Sequence, residues 1–244
     1  MQRDLSQMEN PPVEPSAWEL AEQEQPDEKK EDSPTGDVQI APEEENPEIL
    51  IAFLQSADID LDTLETSQLI VVSSEKTDAS LYAFEMDPGG AWRQVLGPEK
   101  GHVGKNGVTQ EKAEGDKKTP AGLFLIPFAF GIQSNPGCAL MYQQVTESSC
   151  WVDDPNSSFY NQWVEETGEK DWDSAEHLID YSEQYAYAMV VGYNMDPVIP
   201  GAGSAIFFHC GNRPTAGCIS ASEETVLKFM RWLTPGSQPK ILII

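Results

Sequence analysis

The stretch "FFHCGNRPTAGCISAS" (residues 207–222) decides how both the fold and the chemistry of this chain are interpreted. It opens as an apolar, strand-forming run that ends near His209, passes through a turn, and reaches Thr215, Gly217 and Cys218. The Gly and Pro residues between His209 and Cys218 allow the chain to reverse, so the two side chains can meet. An imidazole beside a thiol can accept the thiol proton and activate the sulfur as a nucleophile.

Neighbouring residues fit the same chemistry. Gly217 has no Cβ, so a substrate carbonyl can approach the backbone closely enough for amide N–H groups to form an oxyanion hole. A helix predicted to begin at Ser222 is expected to lower the thiol pKa through its positive end. Residue types alone leave a catalytic and a structural interpretation of Cys218 equally open, because free cysteines are often small buried apolar residues.

Metal and disulfide alternatives also exist for this stretch. A zinc site formed by His209, Cys210 and Cys218 would need further ligands at short spacing, and the sequence has none, so we predict no metal and no cofactor. A Cys210–Cys218 disulfide would remove the proposed nucleophile. Farther upstream, Cys138 and Cys150 flank a predicted strand and are interpreted either as a disulfide or as buried thiols.

Outward from this stretch, the chain is dominated by short runs rich in β-branched and aromatic residues, among them "QLIVVSS", "SLYAFEM", "GLFLIPFAFG" and the terminal "PKILII". Helices are predicted only around residues 49–54, at about 157–166, and from Ser222 to the Pro-Gly pair at 235–236. Many strands with few helices between them argue against a doubly wound parallel sheet. We therefore predict a fold that is mainly β with a few helices.

Composition excludes some classes of function. The 41 Asp and Glu residues outnumber the 15 Lys and Arg residues, giving a net charge of −26. Such a chain lacks the basic surface that nucleic-acid binding requires, so we predict no nucleic-acid partner. No apolar stretch is long enough to span a membrane, and no signal peptide is visible at the N-terminus.

The charge and apolar content divide the chain into three predicted parts. Residues 1–48 are rich in Pro, Glu, Asp and Gln and are predicted to be a disordered acidic segment. Residues 49–66 form a short helical lead-in. Residues 67–244 form the folded domain.

The order of four motifs in this domain resembles the YkuD-type L,D-transpeptidase catalytic domain. These motifs are "GVTQEKAEGDKKTPAGLFLI", "WVDDPNSSFYN", "GSAIFFH" and the Thr-Ala-Gly-Cys turn that ends at Cys218. The resemblance covers about residues 68–244 and implies a YkuD-like β-sandwich of mixed sheets. It also implies an enzyme of the cell envelope or periplasm, or a leaderless secreted protein, that acts on peptidoglycan stem peptides.

The resemblance implies roles for individual residues. Cys218 would attack a stem-peptide carbonyl and form a thioester, with His209 as general base. Gly217 and Thr215 would shape the oxyanion hole or contact substrate. The family more often has a histidine before the Gly-Cys pair and an arginine two residues after the cysteine. Here Ala216 and Ser220 occupy those positions, which leaves Arg213 as the candidate cation.

Three functions are compatible with this sequence. The leading one is an L,D-transpeptidase or L,D-carboxypeptidase, two activities that share the acyl-enzyme and that the sequence does not distinguish. The second is a secreted effector or hydrolase that acts on stem peptides of another cell. The third is a catalytically silent cell-wall-binding module. The sequence carries no prediction of oligomeric state, and His102 and His177 are interpreted as ordinary surface or core histidines.

Overall fold

A computed structural model describes residues 47–244, so most of the predicted disordered segment 1–48 lies outside the described residues. The described chain contains two α-helices, α1 (Pro47–Ser56) and α2 (Glu223–Trp232). Its strands are β1 (Gln68–Glu75), β2 (Asp78–Met86), β3 (Trp92–His102), β4 (Val108–Thr109), β5 (Thr119–Pro120), β6 (Gly122–Leu125), β7 (Ala129–Gly131), β8 (Tyr142–Gln144), β9 (Ser149–Val152), β10 (Trp163–Glu165), β11 (Ala175–His177), β12 (Ala188–Val190), β13 (Phe207–Cys210), β14 (Ile219–Ala221) and β15 (Lys240–Ile243). Neither helix is long and apolar enough to cross a membrane.

Ten of the strands form one mixed sheet in the order β6-β15-β1-β2-β3-β14-β13-β12-β7-β8. Within it, β1 and β15, β13 and β14, and β7 and β8 pair in parallel, and the remaining neighbours are antiparallel. A three-stranded antiparallel sheet, β10-β9-β11, and a short parallel pair, β4-β5, complete the β structure. The predicted fold class, mainly β with mixed sheets and few helices, is confirmed.

Both faces of the large sheet are covered, as the alternation along β1 shows. Because successive side chains of a strand point to opposite faces, Ile70 and Val72 enter one core while Leu69 and Val71 enter another. The second core is closed by α1, whose Leu50 and Leu54 pack there. This two-sided burial explains why the run "LIVV" is apolar at every position.

The same alternation along β13 sets up the functional region. Phe208 and Cys210 face a core that α2 closes with residues such as Phe229, whereas Phe207 faces a core shared with the small sheet. There the rings of Phe207 and Trp151 pack edge to face with centroids 4.9 Å apart. His209, two residues after Phe207, therefore lies on the side of the sheet that the small sheet covers.

The predicted C-terminal helix is confirmed, whereas the predicted helix at 157–166 is wrong. Helix α2 begins after Ser222, whose side chain accepts the N–H of Thr225 as an N-cap. The segment predicted as the other helix instead forms turns and β10. Asn161 lies there with a φ of +58° and its amide oxygen accepts the buried Trp151 indole N–H at 3.0 Å. A left-handed residue ends a helix, so the hydrogen bonds of this side chain override the helical pattern.

Candidate active site

The parallel pairing of β13 with β14 brings Cys218 and His209 to the same face of the sheet. His209 pairs with Ser220 in this register. Cys218 precedes Ser220 by two residues, so its side chain shares the face of Ser220 and His209. Both side chains line one pocket of about 500 Å³. Glu176, Tyr185 and residues of the 211–216 turn line the same pocket.

The thiol of Cys218 is buried, and its hydrogen-bond partners are backbone groups. Its Sγ donates to the carbonyl oxygen of Ala205 at 3.2 Å and accepts the N–H of Phe207 at 3.3 Å. Burial, with a smaller contribution from the negative charge of Glu176, raises the pKa of Cys218 to about 12. At neutral pH Cys218 is therefore a thiol and not a thiolate.

This finding corrects the expectation that the helix following the turn lowers the thiol pKa. Strand β14 separates Cys218 from the first turn of α2, and three strand residues span about 10 Å. The macrodipole effect is confined to the first turn of a helix, and in α2 that turn carries Glu223 and Glu224. The helix therefore contributes no useful positive potential at the sulfur.

His209 is oriented by a backbone carbonyl. Its Nδ1 lies 2.8 Å from the carbonyl oxygen of Cys210, and because a carbonyl can only accept, Nδ1 must carry the proton. That assignment leaves Nε2 with a free lone pair when the ring is neutral. Burial lowers the pKa of His209 below its ordinary value of 6.5, so the ring is a neutral base at physiological pH.

The turn before Cys218 is held by Thr215. Its Oγ1 donates to the carbonyl oxygen of Cys218 at 2.6 Å and accepts the N–H of Gly217 at 3.1 Å. The N–H of Gly217 is therefore already used, whereas those of Ala216 and Cys218 donate to no acceptor within residues 47–244. Gly217 has a φ of +154°, and a Cβ there would lie 3.1 Å from the carbonyl oxygen of Lys118. Both observations require glycine at this position.

The "GDKKTP" motif, about a hundred residues upstream, supports the same turn. Thr119 is fully buried, and its Oγ1 donates to the carbonyl oxygen of Cys218 at 3.2 Å and accepts the N–H of Gly104 at 2.8 Å. Asp116 accepts the N–H of Lys118 at 2.8 Å and pairs with the buried Lys112 at 2.7 Å. The two motifs that are distant in sequence thus form one hydrogen-bonded unit around Cys218.

A carboxylate that sequence reasoning missed also lines the pocket. Glu176 lies on β11 and accepts a hydrogen bond from the hydroxyl of Tyr185. Burial, together with the negative charges of Asp153 and Glu114, raises the pKa of Glu176 to about 7. Nothing local in the sequence around Glu176 indicates this role, because β11 reaches the pocket only through its pairing with β9.

The structure also places Arg213 and the remaining cysteines. Arg213 is exposed at the pocket, and its carbonyl oxygen accepts the hydroxyl of Ser220 at 2.8 Å. All four cysteines are buried and free, so the Cys138–Cys150 and Cys210–Cys218 disulfides are absent from the described chain. The thiol of Cys210 enters the core on the opposite side of β13 from His209.

This chain is similar to a known protein structure and to a known protein family. The solved structures include a match to the helical cell shape determining protein Pgp2 from Campylobacter jejuni, with 17% sequence identity and a TM-score of 0.38. That match covers 73% of this chain, which spans 47% of the Pgp2 chain. No curated protein matches the sequence. A family model described as the L,D-transpeptidase catalytic domain, YkuD, matches residues 68–243. Because this family model spans most of the sequence, the chain belongs to the YkuD family of L,D-transpeptidase catalytic domains.

Proposed function

We propose that this protein is a cysteine acyltransferase that acts on peptidoglycan stem peptides, as an L,D-transpeptidase or L,D-carboxypeptidase. The observation that carries the proposal is the position of Cys218 and His209 on one face of the sheet, lining one pocket. The tautomer of His209 supports it further, because Nε2 is left free to accept a proton. Family membership supports the substrate class.

In the first half-reaction, Sγ of Cys218 attacks the carbonyl carbon at the L-centre of the diamino-acid residue of the stem peptide. The thiol proton passes to Nε2 of His209, and the carbonyl oxygen becomes an oxyanion. The N–H groups of Cys218 and Ala216, free within the described chain, are the proposed oxyanion donors. His209 then gives the proton to the leaving amine, D-alanine departs, and a thioester remains on Cys218.

The second half-reaction reverses these roles. An amine or a water molecule attacks the thioester carbon while His209 accepts a proton from the attacking group. The tetrahedral intermediate collapses and the sulfur of Cys218 leaves. His209 returns the proton to that sulfur. Entry of an amine gives a cross-link and entry of water gives a shortened stem peptide.

Proton transfer is proposed to accompany sulfur attack. Burial raises the pKa of Cys218 to about 12 and lowers the pKa of His209 below its ordinary value of 6.5. Forming a separate thiolate and imidazolium in the resting pocket is therefore unfavourable. The resting thiol also donates to Ala205. The thiol is proposed to rotate towards His209 when substrate binds, which brings the nucleophile and its general base together.

Two charged side chains are proposed to select the substrate. Glu176 places negative charge in the pocket with no cationic partner in the described chain. It would attract the side-chain amine of a diamino acid, whose positive charge would favour the ionised carboxylate. Arg213, exposed at the same pocket, would bind a carboxylate of the stem peptide.

The decisive test of the reaction uses a defined tetrapeptide muropeptide, with products separated by mass. Wild-type protein is expected to give a cross-linked dimer or a trimmed tripeptide, and Cys218→Ala to give neither. Cys138→Ala, which removes another buried thiol, serves as the matched control and should retain activity. Loss of activity in both variants, or in neither, contradicts the proposal.

Two alternatives have distinct outcomes in related assays. The buried thiol favours a silent wall-binding module. For such a module, Cys218→Ser would bind muropeptide as tightly as wild type does, and the wild type would release no product. An effector or hydrolase directed at other cells would release product, and the intact chain would appear in culture fluid. For the leading function we propose a location in the cell envelope, tested by fractionation of the producing cell.

The same comparison supports a proposal for the domain organisation. The family model begins at residue 68, and α1 packs against the sheet just ahead of it. We propose that residues 67–244 are the catalytic domain, 49–66 a helical lead-in, and 1–48 a disordered acidic segment. Limited proteolysis is expected to leave a stable fragment beginning near residue 47. Protection of residues 1–48 from cleavage would contradict it.

A further inference from the structure

The small sheet brings three potential metal ligands together, away from the pocket that contains Cys218. Cys150 on β9 pairs directly with His177 on β11. On the other side, β10 pairs Val164 with Cys150. Glu166, two residues after Val164, faces the same side of the small sheet and reaches Cys150 diagonally. These ligands are distant in sequence, so only strand pairing reveals the cluster.

The distances between the donor atoms are close to those around a bound zinc ion. Oε2 of Glu166 lies 3.8 Å from Sγ of Cys150 and 3.7 Å from Nε2 of His177. All three donor atoms lie within 4.8 Å of one another. In a tetrahedral site with metal–ligand bonds of about 2.0–2.3 Å, neighbouring ligand atoms are roughly 3.3–3.6 Å apart. Contraction of a few tenths of an ångström on two edges, and of at most about 1.2 Å on the third, closes the site.

The donor set and its surroundings also fit zinc. Sulfur, imidazole nitrogen and carboxylate oxygen are the ligands that zinc prefers. Cys150 is fully buried, while Glu166 and His177 border a pocket of about 570 Å³ that Glu147 also lines. That pocket leaves a fourth position for water or for the carboxylate of Glu147. Lys170 contacts the other oxygen of Glu166, Oε1, at 3.3 Å, so Glu166 would bind through Oε2 alone.

We propose that Cys150, Glu166 and His177 bind a zinc ion that ties the three strands of the small sheet together. Without metal, the thiol of Cys150 donates to Glu166. When the zinc ion binds, it displaces that proton, which is released to solvent. The thiolate and the carboxylate together then neutralise the double positive charge of the ion. The site is separate from the reaction chemistry of Cys218.

The position of the site on β11 connects it to the catalytic pocket. His177 and Glu176 are adjacent on β11 and therefore point to opposite faces. His177 contacts Glu166 in the zinc cluster, whereas Glu176 lines the pocket with Cys218. A metal that fixes β11 would hold Glu176 in place, so the ion supports the pocket without contacting substrate.

Cobalt(II), a spectroscopic substitute for zinc, tests the site in the full-length protein after treatment with a chelator. Stoichiometric Co²⁺ is expected to produce a thiolate-to-metal charge-transfer band. The band should persist in Cys138→Ser and in Cys218→Ser and disappear in Cys150→Ser. In zinc competition, His177→Gln should bind zinc about tenfold or more weakly than wild type. His102→Gln changes the only other described histidine that is paired with an acid, and its zinc affinity should match wild type.

Several results would overturn the proposal. The first is the absence of a band at millimolar Co²⁺, and the second is a band that survives Cys150→Ser. The third is a band lost in Cys218→Ser, which would place the metal in the catalytic pocket. Because Cys150 is buried and its replacement can impair folding, Glu166→Gln is tested beside it. Glu166 is partly exposed, and unchanged metal affinity in a folded Glu166→Gln protein also refutes the site.

Discussion

Replacing Glu176 by Gln should remove a pH-dependent destabilisation of the fold. The pKa of Glu176 is raised from 4.5 to about 7, chiefly by burial. A folded-state pKa above the unfolded one means that the folded chain holds the proton more tightly. The stability that this protonation contributes is complete below about pH 4.5 and is lost as the pH rises through 7.

The size of the effect follows from the two pKa values. Each pKa unit corresponds to 1.36 kcal/mol, so the difference from 4.5 to about 7 amounts to at most about 3 kcal/mol. The amide introduced by Glu176→Gln would keep a hydrogen bond with Tyr185 without ever becoming charged. The free energy of unfolding of this variant, relative to wild type, should therefore rise by up to about 3 kcal/mol between pH 4.5 and 8.

Urea unfolding of both proteins across this range measures the difference directly. Glu183→Gln is the matched control, because Glu183 lies at the same pocket but is exposed. It should leave the pH dependence of wild-type stability in place. A difference between Glu176→Gln and wild type that stays constant from pH 4.5 to 8 would refute the buried-carboxylate argument.

Three further substitutions test the turn before Cys218 and the proposed general base. Gly217→Ala introduces a Cβ 3.1 Å from the carbonyl oxygen of Lys118 at a φ of +154° and should lower stability by about 1–3 kcal/mol in thermal unfolding; an unchanged Tm contradicts the strain. Thr119→Val removes the hydroxyl that bonds Cys218 and Gly104 and should cost about 1–3 kcal/mol in denaturant unfolding; Thr119→Ser should restore most of it, and equal losses in both would point to packing instead. His209→Gln should lower kcat by roughly 10²–10⁴-fold with stem peptide while the fold is retained, because the general base is lost; near-wild-type kcat would exclude His209 from that role.

Local patterns in the sequence predict much of the fold. The apolar runs of β1, β13 and β15 are visible because both faces of those strands are buried. Helix α2 is equally visible, since Ser222 provides the N-cap and the apolar spacing follows it. His209 and Cys218 are also identifiable, because one short turn brings them to neighbouring strands.

Features created by long-range pairing were not predictable in the same way. Glu176 and His177 acquire their environments only when β11 pairs with β9, and neither has a local motif. The segment containing Asn161 carries a helical pattern, but the side chain of Asn161 bonds to buried groups outside that segment, among them the N–H of Ala205, 44 residues away. The raised pKa of Cys218 likewise depends on burial by residues from several strands.

The most direct test of the central claim is the mass of the protein during turnover. Wild-type protein incubated with a tetrapeptide stem and no added amine acceptor is rapidly quenched in acid, measured intact and then mapped by peptide. The expected result is a single acyl adduct, with D-alanine lost from the donor, located on Cys218 and absent from Cys218→Ala. An adduct on Cys138, Cys150 or Cys210, or one that persists in Cys218→Ala, would contradict the assignment of Cys218 as the nucleophile.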